Sequence, residues 1–149
     1  MLTDTIAALL SRDLGKVKTE IESYKNEATL WMTDKEIANP AGNLCLHLIG
    51  NLNTYIGAVL GNTGYERNRG LEFSLKNIPR KELVEKIEAT ITMVNSLLPT
   101  ITDEQLNSEY PLVVFSDKMT TGYFLVHLTA HLSYHLGQIN YHRRMLDFL

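Results

Sequence analysis

Apolar positions recur at three-to-four-residue spacing in four long stretches of the chain, the pattern of amphipathic helices. The first carries Ile6, Leu9, Leu10, Leu14, Val17, Ile21 and Tyr24 on one face, with Lys16, Lys18, Glu20 and Glu22 largely off it. Asn39, Pro40 and Gly42 interrupt the pattern and open a second helix, expected from about Ala41 to Leu60. Its Leu44, Leu46, Leu48, Ile49, Leu52, Ile56, Val59 and Leu60 are apolar nearly all round. Such a helix should be buried on several sides, in a bundle and in a contact with a second copy. A third helix is expected to begin near Pro79, whose fixed φ suits the first helical position, and to stop at Pro99. It presents Leu83, Ile87, Ile91, Val94 and Leu97. Thr102 and Gln105 have capping-box spacing, and Tyr110 to Phe115 reads as extended. Thr120 or Thr121 then caps a fourth helix running to about Leu146.

About 18 residues with Gly61, Gly64 and Gly70 separate the second helix from the third, which is long for a bundle connection. Such a segment crosses the length of the bundle, covers a site, or is a solvated link. A crossing would make the second and third helices parallel. No repeat or composition shift marks a boundary, so residues 1–149 are expected to form one domain.

Composition narrows the function classes. The formal charge is −3 and the pI about 5.9, so no basic excess points to nucleic acid. Cys45 is the only cysteine, so no internal disulfide forms. The start, Met1-Leu2-Thr3-Asp4, has no basic n-region, and no run reaches the ~18 consecutive apolar residues of a membrane span. The expectation is a soluble, cytoplasmic protein without a membrane partner.

Four of the five histidines, His127, His131, His135 and His142, fall in the last helix. At ~100° per residue they share an arc of only ~80°, with Gln138 inside it. Leu128, Leu132, Ile139 and Leu146 border that arc, so the imidazoles face inward, where each needs a partner. His131 and His135 are four apart and stack on one face, able to reach a common metal ion. A third ligand would have to come from a facing helix, and the remaining histidine, His47, lies in the apolar second helix. Asn51 and Tyr55 continue its polar face at four-residue spacing. The same pattern also fits a set of hydrogen-bonded core histidines, and spacing alone leaves both readings open.

The strings His131-Leu-Ser-Tyr-His135-Leu-Gly-Gln138-Ile139 and His47-Leu-Ile-Gly-Asn51-Leu resemble the DinB-like superfamily of bacterial metalloproteins. The likeness extends over nearly the whole chain, including helix order, the long links and Trp31 ahead of the second helix. It implies an all-α four-helix bundle with long inter-helix connections. It also implies a three-histidine site whose ligands map onto His47, His131 and His135. In that superfamily the ion is usually zinc or nickel and homodimers are common. Some relatives transfer low-molecular-weight thiols such as bacillithiol or mycothiol.

Three neutral imidazoles leave a coordination position open, as catalytic sites do. The expected function is therefore a metal-dependent enzyme that activates a small thiol for transfer to an electrophile. Asn51, Tyr55, His127 and Gln138 are expected to line its pocket. A metal-dependent hydrolase and a non-enzymatic metal- or small-ligand-binding stress-response protein are the alternatives. No carboxylate general base accompanies the histidines in the sequence, which counts against hydrolysis. Cys45 points ~160° away from His47 and reads as a small buried hydrophobe. His142 is two turns beyond His135 and reads as structural. Arg67 and Arg69, beside Glu66 and Glu72, read as surface ion pairs of little consequence, with contact to an anionic substrate as the other reading.

Overall fold

A computed structural model describes residues 1–148, and all its elements are helical apart from an isolated bridge between Glu109 and Thr120. Four long helices dominate: α1 (Leu2–Ser23), α2 (Ala41–Gly61), α4 (Arg80–Leu97) and α6 (Thr121–Leu146). Two short ones, α3 (Arg69–Ser74) and α5 (Asp103–Asn107), lie in the connections. The apolar stripe of α1 is the one its spacing predicts, with Leu10, Leu14, Val17 and Ile21 buried. Thr102 and Gln105 cap α5 reciprocally, and the Thr120 hydroxyl accepts from the Tyr123 amide to cap α6. Pro79 sits one position earlier than expected, at the N-cap of α4. Pro99 falls in a single 3-10 turn, Leu98–Thr100, that finishes that helix.

Cross-helix contacts give the relative directions. Asn53 Nδ2 donates to Thr90 Oγ1 at 2.9 Å, Gly57 lies by Met93 and Gly61 by Leu97, so α2 and α4 run parallel. The long connection therefore does cross the length of the helices. Lys18 pairs with Glu88 and Ser11 with Asn95, so α1 is antiparallel to α4. His47 meets His131 while Tyr55 meets Phe124, so α2 is antiparallel to α6.

All twelve residues of Ala41–Leu52 are buried, because α1, α3, α4 and α6 pack around this segment. The apolar circumference of Ala41–Leu52 is thus filled within the chain, while Val59 and Leu60 beyond it are half-buried. By length and composition α2 is also apolar enough to cross a membrane, which the count of consecutive apolar residues did not show. Here most of it is buried as the core helix.

One irregularity bears on the site. From Asn53 to Ala58 the helix widens into a π turn. Asn53 Nδ2 donates to the Ile49 carbonyl at 2.9 Å as well as to Thr90, so a side chain from within the turn occupies part of the backbone ladder. Tyr55, inside this turn, packs edge-on to Phe124, and Tyr110 Oη donates to its carbonyl at 2.6 Å.

Candidate metal centre

Three imidazoles from two antiparallel helices converge. His131 Nε2 lies 3.3 Å from His47 Nε2 and 3.2 Å from His135 Nε2. One nitrogen from each of the three histidines lies within 4.8 Å of the other two, an arrangement that can hold a metal ion. The pair four residues apart on α6 supplies one wall, and His47, only 6% exposed on α2, supplies the other.

The outer nitrogens define the tautomers of two of the three rings. His47 Nδ1 is 3.1 Å from Glu72 Oε1, and a carboxylate can only accept, so Nδ1 donates to it and Nε2 is the nitrogen turned toward His131. His135 Nδ1 is 2.7 Å from Gln138 Oε1, and with the amide in this orientation Nδ1 donates and Nε2 faces His131. His131 Nδ1 is buried and has no hydrogen-bond partner among the described residues. Burial lowers the His131 pKa to about 4, and the neighbouring His135, His47 and His127 act in the same sense. Burial likewise lowers that of His135, offset in part by Gln138. For His131 and His135 both shifts favour the neutral ring, the form in which imidazole binds metals.

Glu72 reaches His47 from α3, inside the long connection. Arg67 grips the same carboxylate with two N–H groups, Nε to Oε2 at 2.8 Å and Nη2 to Oε1 at 3.0 Å. Burial alone would raise the Glu72 pKa, but hydrogen bonds from His47 and Arg67, with the Arg67 charge, hold it below the ordinary carboxylate value. Gly50, one turn beyond His47, makes room for this group. A Cβ there would overlap the Glu72 carboxylate, with Cδ only 2.6 Å away. The Arg67 guanidinium also lies over the Tyr55 ring, 5.7 Å from its centroid.

The profile of a family described as a protein of unknown function (DUF1572) matches residues 7–148. The chain belongs to this family. No curated protein matches its sequence.

In this DUF1572 protein a cavity of about 370 Å³ opens beside the histidines, lined by His47, His131, Asn51, Tyr55, His127 and the two arginines Arg67 and Arg69, with Phe115 and Phe124. Three of the four expected pocket residues, Asn51, Tyr55 and His127, are therefore at one place. His127 is outside the ligand group, its ring stacked 5.9 Å from Phe124 and edge-on to Phe115 at 4.8 Å. Gln138 is elsewhere: it holds His135 from behind and lines a separate hollow with Glu36, Tyr141 and His142. Cys45 is fully buried, its thiol pushed up to about 12 by desolvation, which suits a core hydrophobe. His142 is buried and bridges Tyr24 Oη and the Met32 carbonyl, each at 2.7 Å, tying α6 to the segment after α1.

One expectation is refined and another overturned. A carboxylate lies beside the histidines, but it is engaged by His47 and Arg67 and is not a free general base. The ion pair expected at the surface is instead largely buried, with the side chains of Arg67 and Glu72 14% and 7% exposed. The signal for it was Gly50: a glycine within a buried helix, one turn from His47, marks a close approach by another group.

Proposed function

We propose that this protein is a metal-dependent enzyme of the DinB-like four-helix-bundle type. In this reading His47, His131 and His135 hold one divalent transition metal ion, zinc or nickel, and a low-molecular-weight thiol is activated in the adjoining cavity for transfer to an electrophile. The observation that carries it is the spacing of His131 Nε2 from the Nε2 atoms of His47 and His135. With zinc–nitrogen bonds of about 2.0–2.1 Å, neighbouring nitrogens of a tetrahedral site stand about 3.3 Å apart. The His131 Nε2 atom is 3.3 and 3.2 Å from those of His47 and His135. Two of the three lone pairs are, in addition, set by outer-nitrogen partners, the arrangement expected around a ligated histidine.

A divalent ion held by three neutral nitrogens retains an open position and lowers the pKa of a thiol or water that binds there. The protein's own groups account for the rest. Glu72 and Gln138 orient two ligands, Phe115 and Phe124 exclude water from one wall, and Asn51 presents an amide to the cavity. In the transfer the S–H proton leaves to solvent and sulfur forms the new bond to the electrophilic carbon. The leaving group departs with its bonding pair. The resemblance to thiol-transferring relatives supports this reaction over hydrolysis, and so does the lack of a free carboxylate base beside the histidines.

The test uses untagged protein reconstituted with cobalt. One ion per chain is expected, and addition of 2-mercaptoethanol, cysteine or glutathione should produce a new near-ultraviolet absorption band. The same thiols should be conjugated to 1-chloro-2,4-dinitrobenzene in a metal-dependent manner. Substoichiometric metal would overturn the centre itself. A full complement of metal with neither spectral change nor conjugation would overturn the transferase and leave ester hydrolysis and passive binding as the readings to assay.

A further inference from the structure

The cavity beside the histidines holds two guanidinium groups in different situations. Arg67 donates to both oxygens of Glu72, so that pair is neutral. Arg69 pairs with no carboxylate among the described residues. Its Cζ lies 5.5 Å from the centroid of Phe73, and Phe73 packs in turn against His47 with ring centroids 5.0 Å apart. No acidic side chain lines the cavity. The unbalanced positive charge of Arg69 therefore stands on the wall, one aromatic ring from a ligand histidine.

A second observation is independent of charge. Asn51, one turn after His47 on α2, is 7% exposed, and its Oδ1 is buried without a hydrogen-bond partner among the described residues. A buried amide with unmet capacity, lining a cavity, calls for a bound group that satisfies it. Its oxygen and NH₂ ends are interchangeable by rotation, so it can meet either an acceptor or a donor. The rings of Phe115 and Phe124 line the same cavity.

We propose that this cavity binds a small organic carboxylate, its head paired with Arg69 and hydrogen-bonded by Asn51, and its apolar body against Phe115 and Phe124. The inference rests on the proposed enzyme function only for the ligand's role as a substrate. Its binding depends on side chains of the chain itself. Those side chains discriminate by charge at one end and by shape at the other, so the ligand class is a monocarboxylate with a compact apolar group.

The probes are phenylacetate and phenylacetamide, which share a shape and differ in charge, titrated calorimetrically into zinc-loaded and metal-free protein. Because a carboxylate also ligates zinc directly, the metal-free arm is the one that tests Arg69. Phenylacetate is expected to bind at least about ten-fold more tightly than the amide in both forms, as a charge-assisted contact implies. Arg69→Gln, at an exposed position, should remove that preference in the metal-free protein while leaving zinc stoichiometry unchanged, and Arg69→Lys should keep part of it. Equal binding of acid and amide, or an undiminished preference in Arg69→Gln, would overturn the proposal, as would failure of both probes to bind. Arg69-dependent discrimination by a protein that takes up no zinc would sink the metal centre and sustain the carboxylate site. One zinc per chain without discrimination would do the reverse.

Discussion

Replacing Glu72 by glutamine tests whether the carboxylate behind His47 matters to the metal centre. Glu72 accepts three hydrogen bonds, from His47 Nδ1 at 3.1 Å and from Arg67 Nε and Nη2 at 2.8 and 3.0 Å. A glutamine has one accepting oxygen. If it takes the place of Oε1, its NH₂ opposes the Arg67 Nε donor; if it is turned round, His47 Nδ1–H loses its acceptor. Either way a charge-assisted contact is lost, worth about 1.5–3 kcal/mol, and metal-free Glu72→Gln should be destabilised by roughly that amount in urea melts. The zinc effect is separate. Partners of ligand histidines typically contribute about 10–100-fold in affinity, or about 1.4–2.7 kcal/mol, and a loss in that range is expected in a competition titration with a chromophoric chelator. Gly50→Ala offers a route to the same carboxylate from the other side, since its Cβ would overlap the Glu72 head group. Helix propensity alone would make this substitution stabilising by about 1 kcal/mol. A loss of zinc affinity therefore has to come from displaced Glu72, and the double variant should lose little more than either single one. Zinc affinity within about two-fold of wild type in Glu72→Gln, in protein that is folded, would refute this role for Glu72.

Three further outcomes follow from the same geometry. His131→Ala should abolish stoichiometric metal binding yet leave the metal-free protein folded by circular dichroism, because the apolar faces of the long helices supply most of the buried area; unfolding of this variant alone would make His131 a core element. The metal-free protein should lose stability as pH falls from 6.5 toward 4. His131 has its pKa lowered from 6.5 to about 4, so the unfolded chain binds the proton first, and the slope should shrink in His131→Gln. We propose a homodimer formed through the solvent-facing residues of α6, where Tyr123, Tyr134, Tyr141 and Met145 are 57–66% exposed; Tyr134→Glu should give a monomeric mass in light scattering, and a monomeric wild type at micromolar concentration would remove the proposal.

Helical periodicity and local capping are the features a sequence encodes most directly. The stripe of α1, the Thr102–Gln105 box, the Thr120 cap and the inward arc of His131 and His135 all depend on residues within a turn or two of one another. His47 was legible because it was the one histidine left on a buried helix. Glu72 and Arg67 were not, since a charged pair in an aperiodic connection reads the same whether it faces water or a ligand. The π turn at Asn53–Ala58 is equally invisible in the sequence, since the Asn53 side chain that accompanies it is shared between Ile49 and the distant Thr90. The apolar circumference of α2 does imply burial on several sides. Its occupants, α1, α3, α4 and α6, are a matter of tertiary packing that hydrophobicity leaves open.

The connection between α2 and α4 unites these residues, and its anchoring explains how a long surface segment can shape a site. A connection of this length is ordinarily among the mobile parts of a fold. Here Asn43, fully buried on α2, donates through Nδ2 to the carbonyls of Glu72 and Leu75 at 2.9 and 2.8 Å, while its Oδ1 accepts from Lys76 Nζ at 2.5 Å. Asn68 caps α3 by accepting from the Leu71 amide at 3.2 Å. The Glu72 carboxylate is fixed to His47 and Arg67, so the segment is tied to α2 at two successive places, and Arg69 stands on the tied stretch. The backbone that carries Arg69 is thereby fixed before any ligand arrives, and less conformational entropy is lost on binding. The three histidines belong to the long helices and the charged wall of the cavity belongs to the connection. Substitutions at Arg67, Arg69 or Glu72 can therefore alter which molecule is held, or how His47 is oriented, without disturbing the helices that bring His47, His131 and His135 together.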